Sequence, residues 1–197
     1  MPTITLNHSM MKRIQELNGA VHDGPILTDL LPDIGCPVES NNGDEIEIEV
    51  FPDRPDLLSH ETMAKAIRAF IGVGSPENKV EVSKGDFCIE VDQSLGAIRP
   101  IIMGAIVRSV NTGNGPLERD LFIQSLMDHQ EKLHMTLGRK RSFSSIGVHD
   151  LSRLSPPFRY VSVTKDFSFT PLASEKEMSI SEVLSSHPKG MEYSSLM

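Results

Sequence analysis

Three groups of residues in this 197-residue chain have types and spacing that could do chemistry. The first is the basic triplet Arg139-Lys140-Arg141, which could bind a phosphate group. The same triplet follows a predicted helix, where cations complement the negative end of the helix dipole. The pattern alone favours this second interpretation, and the phosphate site remains the alternative.

The second and third groups are a pair of acids and a pair of histidines. Glu47 and Glu49 could imitate the two carboxylates of an acid–base catalyst, but their alternation with apolar residues favours the solvated face of a strand. His129 and His134 lie five positions apart on a predicted helix, so they do not stack on one face. We therefore assign no catalytic residue to these pairs and predict no metal site.

The chain lacks the common nucleotide-binding and hydrolase motifs: it has no Gly-x-Gly-x-x-Gly, no phosphate loop, no Gly-x-Ser-x-Gly and no His-Glu-x-x-His. Cys36 and Cys88 have no partner motif, which argues against a disulfide scaffold or a zinc site and predicts a cytoplasmic protein. No apolar run is long enough for a membrane span, and the first residues lack a secretory signal. We expect no membrane partner.

The charge distribution separates the chain into two regions. The chain has 19 basic and 27 acidic residues, a net charge of −8, and residues 1–60 alone hold eleven acidic and three basic residues. The remaining residues are neutral in sum. Neither region has the clustered cations of a DNA-binding module, and 5% aromatic residues without tryptophan argue against a base-stacking platform.

Local patterns predict the elements of the first region. The alternating runs 3–6 and 46–50 predict strands, and Asn41-Asn42-Gly43 predicts a turn just before the second strand. Helices are predicted after Ser9 as N-cap, at Pro25 and after Ser59, the last ending at Gly72 and Gly74-Ser75-Pro76. A region boundary is predicted near residues 74–85.

The second region is predicted to contain a long helix and several strands. The apolar run 101–107 predicts a central strand that is covered on both faces, after a first strand at 87–91. A helix of five to six turns begins at Pro116 and ends at Gly138; its predicted apolar face contains Leu117, Leu121, Phe122, Leu126, Leu133 and Leu137. Short strands are also predicted at 160–163 and 167–169. Ser179 and Glu182 form a predicted capping box that begins a last helix, which is expected to end at Pro188 and Gly190.

Several segments, in order along the chain, resemble the β subunit of phenylalanyl-tRNA synthetase of the archaeal and eukaryotic-cytosolic type. Within residues 46–72, IEIEVFPDRPDLLSHETMAKAIRAFIG, residues 53–59 resemble the family motif Asn-Arg-Pro-Asp-Leu-Leu-Ser, with Asp53 where Asn is usual. The other matching strings are Ile98-Arg99-Pro100, QEKLH from 130, TLGRKR from 136, IGVHDL from 146 and HPKGMEY from 187.

The resemblance implies an α+β fold with two domains. Residues 1–80 would form the small N-terminal αβ domain of the β subunit (B1-like). Residues 81–197 would form the first part of the mixed α/β editing domain (B3/B4-like), apparently truncated. The direct passage from Val38 to Ile46, without the oligonucleotide-binding-like insertion of the bacterial type, agrees with the archaeal type.

The resemblance also implies function, partners and cofactors. The expected role is assembly with the α subunit, as in the family's α2β2 heterotetramer, and hydrolytic editing of tyrosine attached to phenylalanine tRNA. The segment itself is expected to bind no cofactor, since ATP and Mg²⁺ would serve aminoacylation by the intact ligase. A stand-alone binding or regulatory paralogue without ligase or editing activity is the alternative.

Two editing-site positions of the family carry over to this chain, namely Gln130 and Arg141. Their expected roles are contacts to the terminal adenosine or to the misattached amino acid. At 100° per residue, Gln130 lies close to the predicted apolar stripe of the long helix, so we expect it to be partly buried. Both side chains are predicted to face one cleft between this helix and the strand 101–107.

Overall fold

The computed structural model describes residues 2–74, 81–172 and 174–196. The chain divides into two units, which are described separately. The first contains Met1–Val80 and Asn111–Ile146, and the second contains Glu81–Val110 and Gly147–Met197. The sequence predicted domains 1–80 and 81–197, whereas the structure groups the chain segment 111–146 with the first unit. Of the predicted boundary region 74–85, residues 75–80 lie outside the described residues.

A three-stranded antiparallel sheet forms one layer of the first unit. Its order is β1 (Thr3–Asn7), β3 (Glu45–Glu49), β2 (Val38–Asn41), and the register pairs Ile4 with Ile48 and Leu6 with Ile46. These apolar residues are buried, while Glu45 and Glu47 are exposed on the other face, because successive side chains of a strand point to opposite faces. Of the two acids that the sequence analysis considered, Glu47 is exposed, as the solvated-face interpretation predicted, and Glu49 is half-buried.

Three helices cover the buried face of this sheet: α1 (His8–Leu17), α2 (Gly24–Leu30) and α3 (His60–Phe70). Helix α3 begins at Ser59 as predicted, with a capping box formed with Thr62. The predicted N-cap of α1, Ser9, was wrong by two residues, since the Asn7 side chain accepts from the backbone N–H groups of Ser9 and Met10. Strand β1 ends at this same residue, so the cap also joins the two elements.

The core of the first unit lies between this sheet and these helices. Its members are buried apolar side chains from β1, β3 and the three helices and from the segments between the elements: Ile4, Leu6, Met11, Leu27, Leu31, Ile34, Cys36, Ile46, Ile48, Val50, Leu57, Leu58, Met63, Ala64 and Ile67.

Helix α4 (Pro116–Met135) joins the first unit through polar contacts. Along its length, Glu118 pairs with Arg13 at 3.5 Å, the Ser125 hydroxyl donates to both Glu61 carboxylate oxygens at 3.2 Å, and Lys132 Nζ donates to the Thr3 carbonyl at 2.5 Å. The predicted apolar face was wrong in part: Leu117 and Leu137 are exposed, and its other four residues are only half-buried, namely Leu121, Phe122, Leu126 and Leu133. The buried polar residues of α4 are Ser125 and His134. Complementary polar groups on α1, α3 and β1 decide which side of α4 faces the unit.

The second unit contains two small sheets and two short helices. Strand β4 (Ile89–Val91) pairs in parallel with β5 (Phe158–Tyr160), and β6 (Ser168–Phe169) pairs antiparallel with β7 (Met178–Ser179). Helix α5 (Ile180–Ser186) has the predicted capping box, while Pro188 and Gly190, predicted as helix limits, lie inside a further helix, α6 (Pro188–Tyr193). A Cβ atom at Gly190 would lie 1.9 Å from the Val183 carbonyl oxygen, so α5 and α6 cross at a position that requires glycine.

The predicted central strand 101–107 is wrong for this structure. These residues are described without regular secondary structure, and Ile101, Met103 and Val107 are more than three-quarters exposed. A strand exists only where a neighbour completes its hydrogen-bond ladder, and among the described residues β4 and β5 pair with each other instead. Leu95 is the only large apolar side chain of this unit that is buried among the described residues.

Candidate functional site at the C-terminal end of the long helix

The residues after α4 form a tight loop that returns toward the helix. Gly138 N–H donates to the Leu133 carbonyl at 2.9 Å, and Phe143 N–H donates to the Gly138 carbonyl at 3.0 Å. The next three residues, Arg139, Lys140 and Arg141, all have left-handed backbone conformations, with φ values of 48°, 55° and 66°. Each such conformation costs about 1 kcal/mol for a residue other than glycine, so surrounding contacts must hold this loop in place.

Arg141 is the residue of the triplet that the structure fixes most firmly. Its Nη2 atom donates to Glu131 Oε2 at 2.6 Å, and its Nε atom donates to His134 Nδ1 at 3.0 Å. The side chain is 24% exposed. Arg141 therefore lies against the last turn of α4 and does not extend into solvent.

His134 is buried, with 2% exposure, and uses both ring nitrogens. Nδ1 accepts from Arg141 Nε at 3.0 Å, and Glu131 Oε2 lies 3.5 Å from the same nitrogen. Nε2 contacts the backbone of Ile146, at 2.8 Å from its nitrogen and 3.1 Å from its carbonyl oxygen. The imidazole thus connects Arg141 on one side with the far end of the loop on the other.

Gln130 lies one turn before His134 on the same side of α4, because residues four apart in a helix are separated by only about 40°. Its side chain is half-buried, as its position on the helix predicted. Gln130 and Arg141 are thus both attached to the C-terminal part of this helix. The predicted cleft against residues 101–107 stays a prediction, since that segment is no strand here and belongs to the other unit.

The rest of the triplet gives this end of α4 a positive surface. Arg139 and Lys140 are exposed, and the Arg139 guanidinium lies 5.3 Å from the centroid of the Phe143 ring, a cation–π distance. Fixed and exposed cations side by side suit a ligand with phosphate or carboxylate oxygens. Sequence reasoning missed Glu131 and His134 as partners of Arg141, although an acid and a histidine one turn apart before a basic loop were a usable signal.

Residues 53–59, the motif that carries much of the sequence resemblance, form a turn that Arg54 stabilises. Arg54 makes a two-point contact with Asp56, through Nε at 3.1 Å and Nη2 at 2.9 Å, and its Nη1 donates to the Ile34 carbonyl at 3.4 Å. The hydrogen bond from Arg54 lowers the pKa of Asp56 below its ordinary value. These contacts hold the turn that precedes α3 and involve no group poised for chemistry.

Histidines and cysteines elsewhere do not assemble a metal centre. Among the described residues, no three His, Cys, Asp or Glu side chains are close enough to hold a metal ion. His8 Nδ1 and His22 Nε2 lie 3.1 Å apart, and His60 Nε2 accepts the backbone N–H of Asn7 at 3.0 Å. Cys36 is buried, and burial raises the pKa of its thiol. Within the described ranges, no helix is long and apolar enough to cross a membrane.

Curated relatives match the chain along its whole length, although no family model matches it. The phenylalanine–tRNA ligase β subunit of Archaeoglobus fulgidus is 40% identical over 197 residues, and that of Methanococcoides burtonii is 38% identical over the same length. Each alignment covers 100% of this chain and 34% of the relative. The chain thus spans about a third of the length of the curated relatives it matches.

The fold is similar to a solved structure of the same kind. The crystal structure of an N-terminal fragment of the phenylalanyl-tRNA synthetase β subunit from Pyrococcus horikoshii matches with a TM-score of 0.80 at 27% identity, covering 100% of this chain and 55% of that one. By sequence and by its mixed helix-and-sheet fold, the chain is therefore similar over its whole length to the N-terminal part of archaeal phenylalanyl-tRNA synthetase β subunits, as its motifs predicted.

Proposed function

We propose that the chain acts as part of the β subunit of a phenylalanyl-tRNA synthetase, where it supports assembly with the α subunit and hydrolytic editing of tyrosine attached to phenylalanine tRNA. The observation that carries the proposal is the 40% identity to a curated β subunit over all 197 residues. Aminoacylation, with its ATP and Mg²⁺, is assigned to the intact ligase and not to this chain.

Editing has a clear physical purpose in such an enzyme. Phenylalanine and tyrosine differ by one hydroxyl group, and a hydrolytic pocket that hydrogen-bonds this group selects the wrong product for cleavage. In this proposal Gln130 and Arg141 contact the terminal adenosine or the misattached amino acid at the edge of the pocket. The half-buried Gln130 amide and the fixed Arg141 guanidinium support such roles, because both are polar groups whose positions the helix end restricts.

The chemistry requires only that water attack the ester carbonyl, with the ribose hydroxyl of the tRNA as leaving group. Neither Gln130 nor Arg141 is a suitable general base, since an amide and a guanidinium do not accept a proton near neutral pH. Their contribution is therefore to orient the ester and the attacking water, so that proximity and alignment lower the barrier.

The test uses the chain within its β subunit, assembled with the α subunit and presented with tyrosyl-tRNA. Gln130→Ala and Arg141→Ala should slow tyrosyl-tRNA hydrolysis and leave phenylalanine activation nearly unchanged. Loss of one charged hydrogen bond costs about 1.5–3 kcal/mol, which is roughly a tenfold to hundredfold decrease in rate. Lys12→Ala is the matched control, because Lys12 is an exposed cation of the same unit, on α1, where it forms an ion pair with its helix neighbour Glu16.

Two outcomes contradict the proposal in different parts. Hydrolysis at the parental rate by both variants would remove Gln130 and Arg141 from the editing site. Failure of the β subunit to assemble with the α subunit, together with no hydrolysis of tyrosyl-tRNA by the parental protein, would favour the stand-alone binding or regulatory paralogue.

A further inference from the structure

We infer that His134 is a positioning residue for Arg141: its imidazole holds the guanidinium in the orientation that contacts the tRNA end. This inference rests on the proposed editing function and names the residue that organises its site. The sequence considered His134 only as a pair with His129, because its contact with Arg141 depends on the loop that returns to the end of α4.

The geometry gives His134 two separate tasks. Through Nε2 it contacts the Ile146 backbone, at 2.8 Å from the nitrogen and 3.1 Å from the carbonyl oxygen, which fixes the far end of the loop. Through Nδ1 it accepts from Arg141 Nε at 3.0 Å. Its backbone carbonyl also accepts the Arg141 backbone N–H at 3.3 Å. The ring is buried, so water does not replace either partner.

Two acceptors on one guanidinium determine its orientation, where a single acceptor would leave it free to rotate. Glu131 holds the Nη2 end at 2.6 Å, and His134 holds the Nε position at 3.0 Å. The planar guanidinium is thereby fixed along one edge. Glu131 alone could satisfy the charge of Arg141, so the distinctive contribution of His134 is to set the orientation of the guanidinium.

Two substitutions separate the tasks of the imidazole. The Asn side chain places its oxygen near the position of Nδ1, so His134→Asn keeps the acceptor for Arg141 and loses the bond to Ile146. The Gln side chain reaches the position of Nε2, so His134→Gln keeps the bond to Ile146 and loses the acceptor for Arg141. If His134 only supports the loop, Gln is the better replacement; if it positions Arg141, Asn is better.

The activity test is a double-mutant cycle in the β subunit assembled with its α subunit. His134→Gln should slow single-turnover hydrolysis of tyrosyl-tRNA about tenfold, and His134→Asn should slow it less than about threefold. In the Arg141→Ala background, His134→Gln should have no further effect, because residues that act through one another are not additive. Additive effects, or equal losses for Asn and Gln, would overturn the inference and leave the proposed function standing.

A second measurement follows the contact itself in the 197-residue chain. In ¹⁵N-labelled protein, the Arg141 Nε–H resonance should be protected from solvent exchange in the parent and in His134→Asn, and lose protection in His134→Gln. Thermal melts of each variant establish that it is folded. Unchanged protection in His134→Gln refutes the contact, whereas hydrolysis at the parental rate by Arg141→Ala removes Arg141 from the editing site and refutes the functional part of this inference.

Discussion

Gly138 is the position where a single methyl group should disturb the loop that carries Arg141. A Cβ atom at this residue would lie 2.6 Å from the Ser144 carbonyl oxygen and 2.7 Å from the His134 carbonyl oxygen. Both contacts are with backbone atoms, which cannot rotate away as the end of a side chain can. Gly138→Ala should therefore force the loop away from the end of α4.

The expected magnitude follows from the contacts that such a movement would weaken. Overpacking at a closely packed position costs about 1–3 kcal/mol. The bond from Phe143 N–H to the Gly138 carbonyl, at 3.0 Å, and that from Arg141 N–H to the His134 carbonyl, at 3.3 Å, each contribute about 1 kcal/mol. The free energy of unfolding of the first unit should thus decrease by about 2–4 kcal/mol.

Denaturant unfolding, followed by far-ultraviolet circular dichroism, measures this change. Gly96→Ala is the control, because it is the same chemical substitution at a position with no neighbouring atom within 4 Å, and it should change stability by less than about 1 kcal/mol. If Gly138→Ala is as stable as the control, the close approach of loop and helix end does not constrain this position, and the reasoning fails.

Two further predictions concern pH and the second unit. Burial lowers the pKa of His60 and of His22 below the ordinary histidine value. The unfolded chain therefore binds more protons than the native chain as the pH falls through about 6.5. The free energy of unfolding should be greatest above this pH and decrease below it. His60→Gln can still accept the Asn7 N–H, and it should make the melting temperature depend less on pH between about pH 7.5 and about pH 5.5, a range centred on the ordinary histidine pKa. An unchanged pH dependence would show that His60 does not cause this loss of stability. Gly190→Ala should increase amide hydrogen exchange in α5 and α6, because the added Cβ would overlap the Val183 carbonyl, and equal exchange in parent and variant would show that the crossing tolerates a side chain.

The sequence by itself determined the features whose causes lie within a few residues. Ser59 and Ser179 cap their helices because the capping partners, Thr62 and Glu182, lie three positions ahead on the same chain. Pro116 begins α4 because its fixed φ angle suits the first turn of a helix. The family motifs likewise depend only on residue order, so the sequence alone was enough to identify them.

Features that depend on distant partners were decided by the tertiary structure. The run 101–107 has the composition of a buried strand, yet strand formation needs a neighbouring ladder that the described residues do not provide for it. Ser125 and His134 are the buried residues of α4 because Glu61 and the loop residue Ile146 supply their hydrogen bonds, which no periodicity along α4 records. Arg141 became a fixed cation, held by two groups of the preceding helix turn, only because three consecutive left-handed residues turn the chain back onto α4.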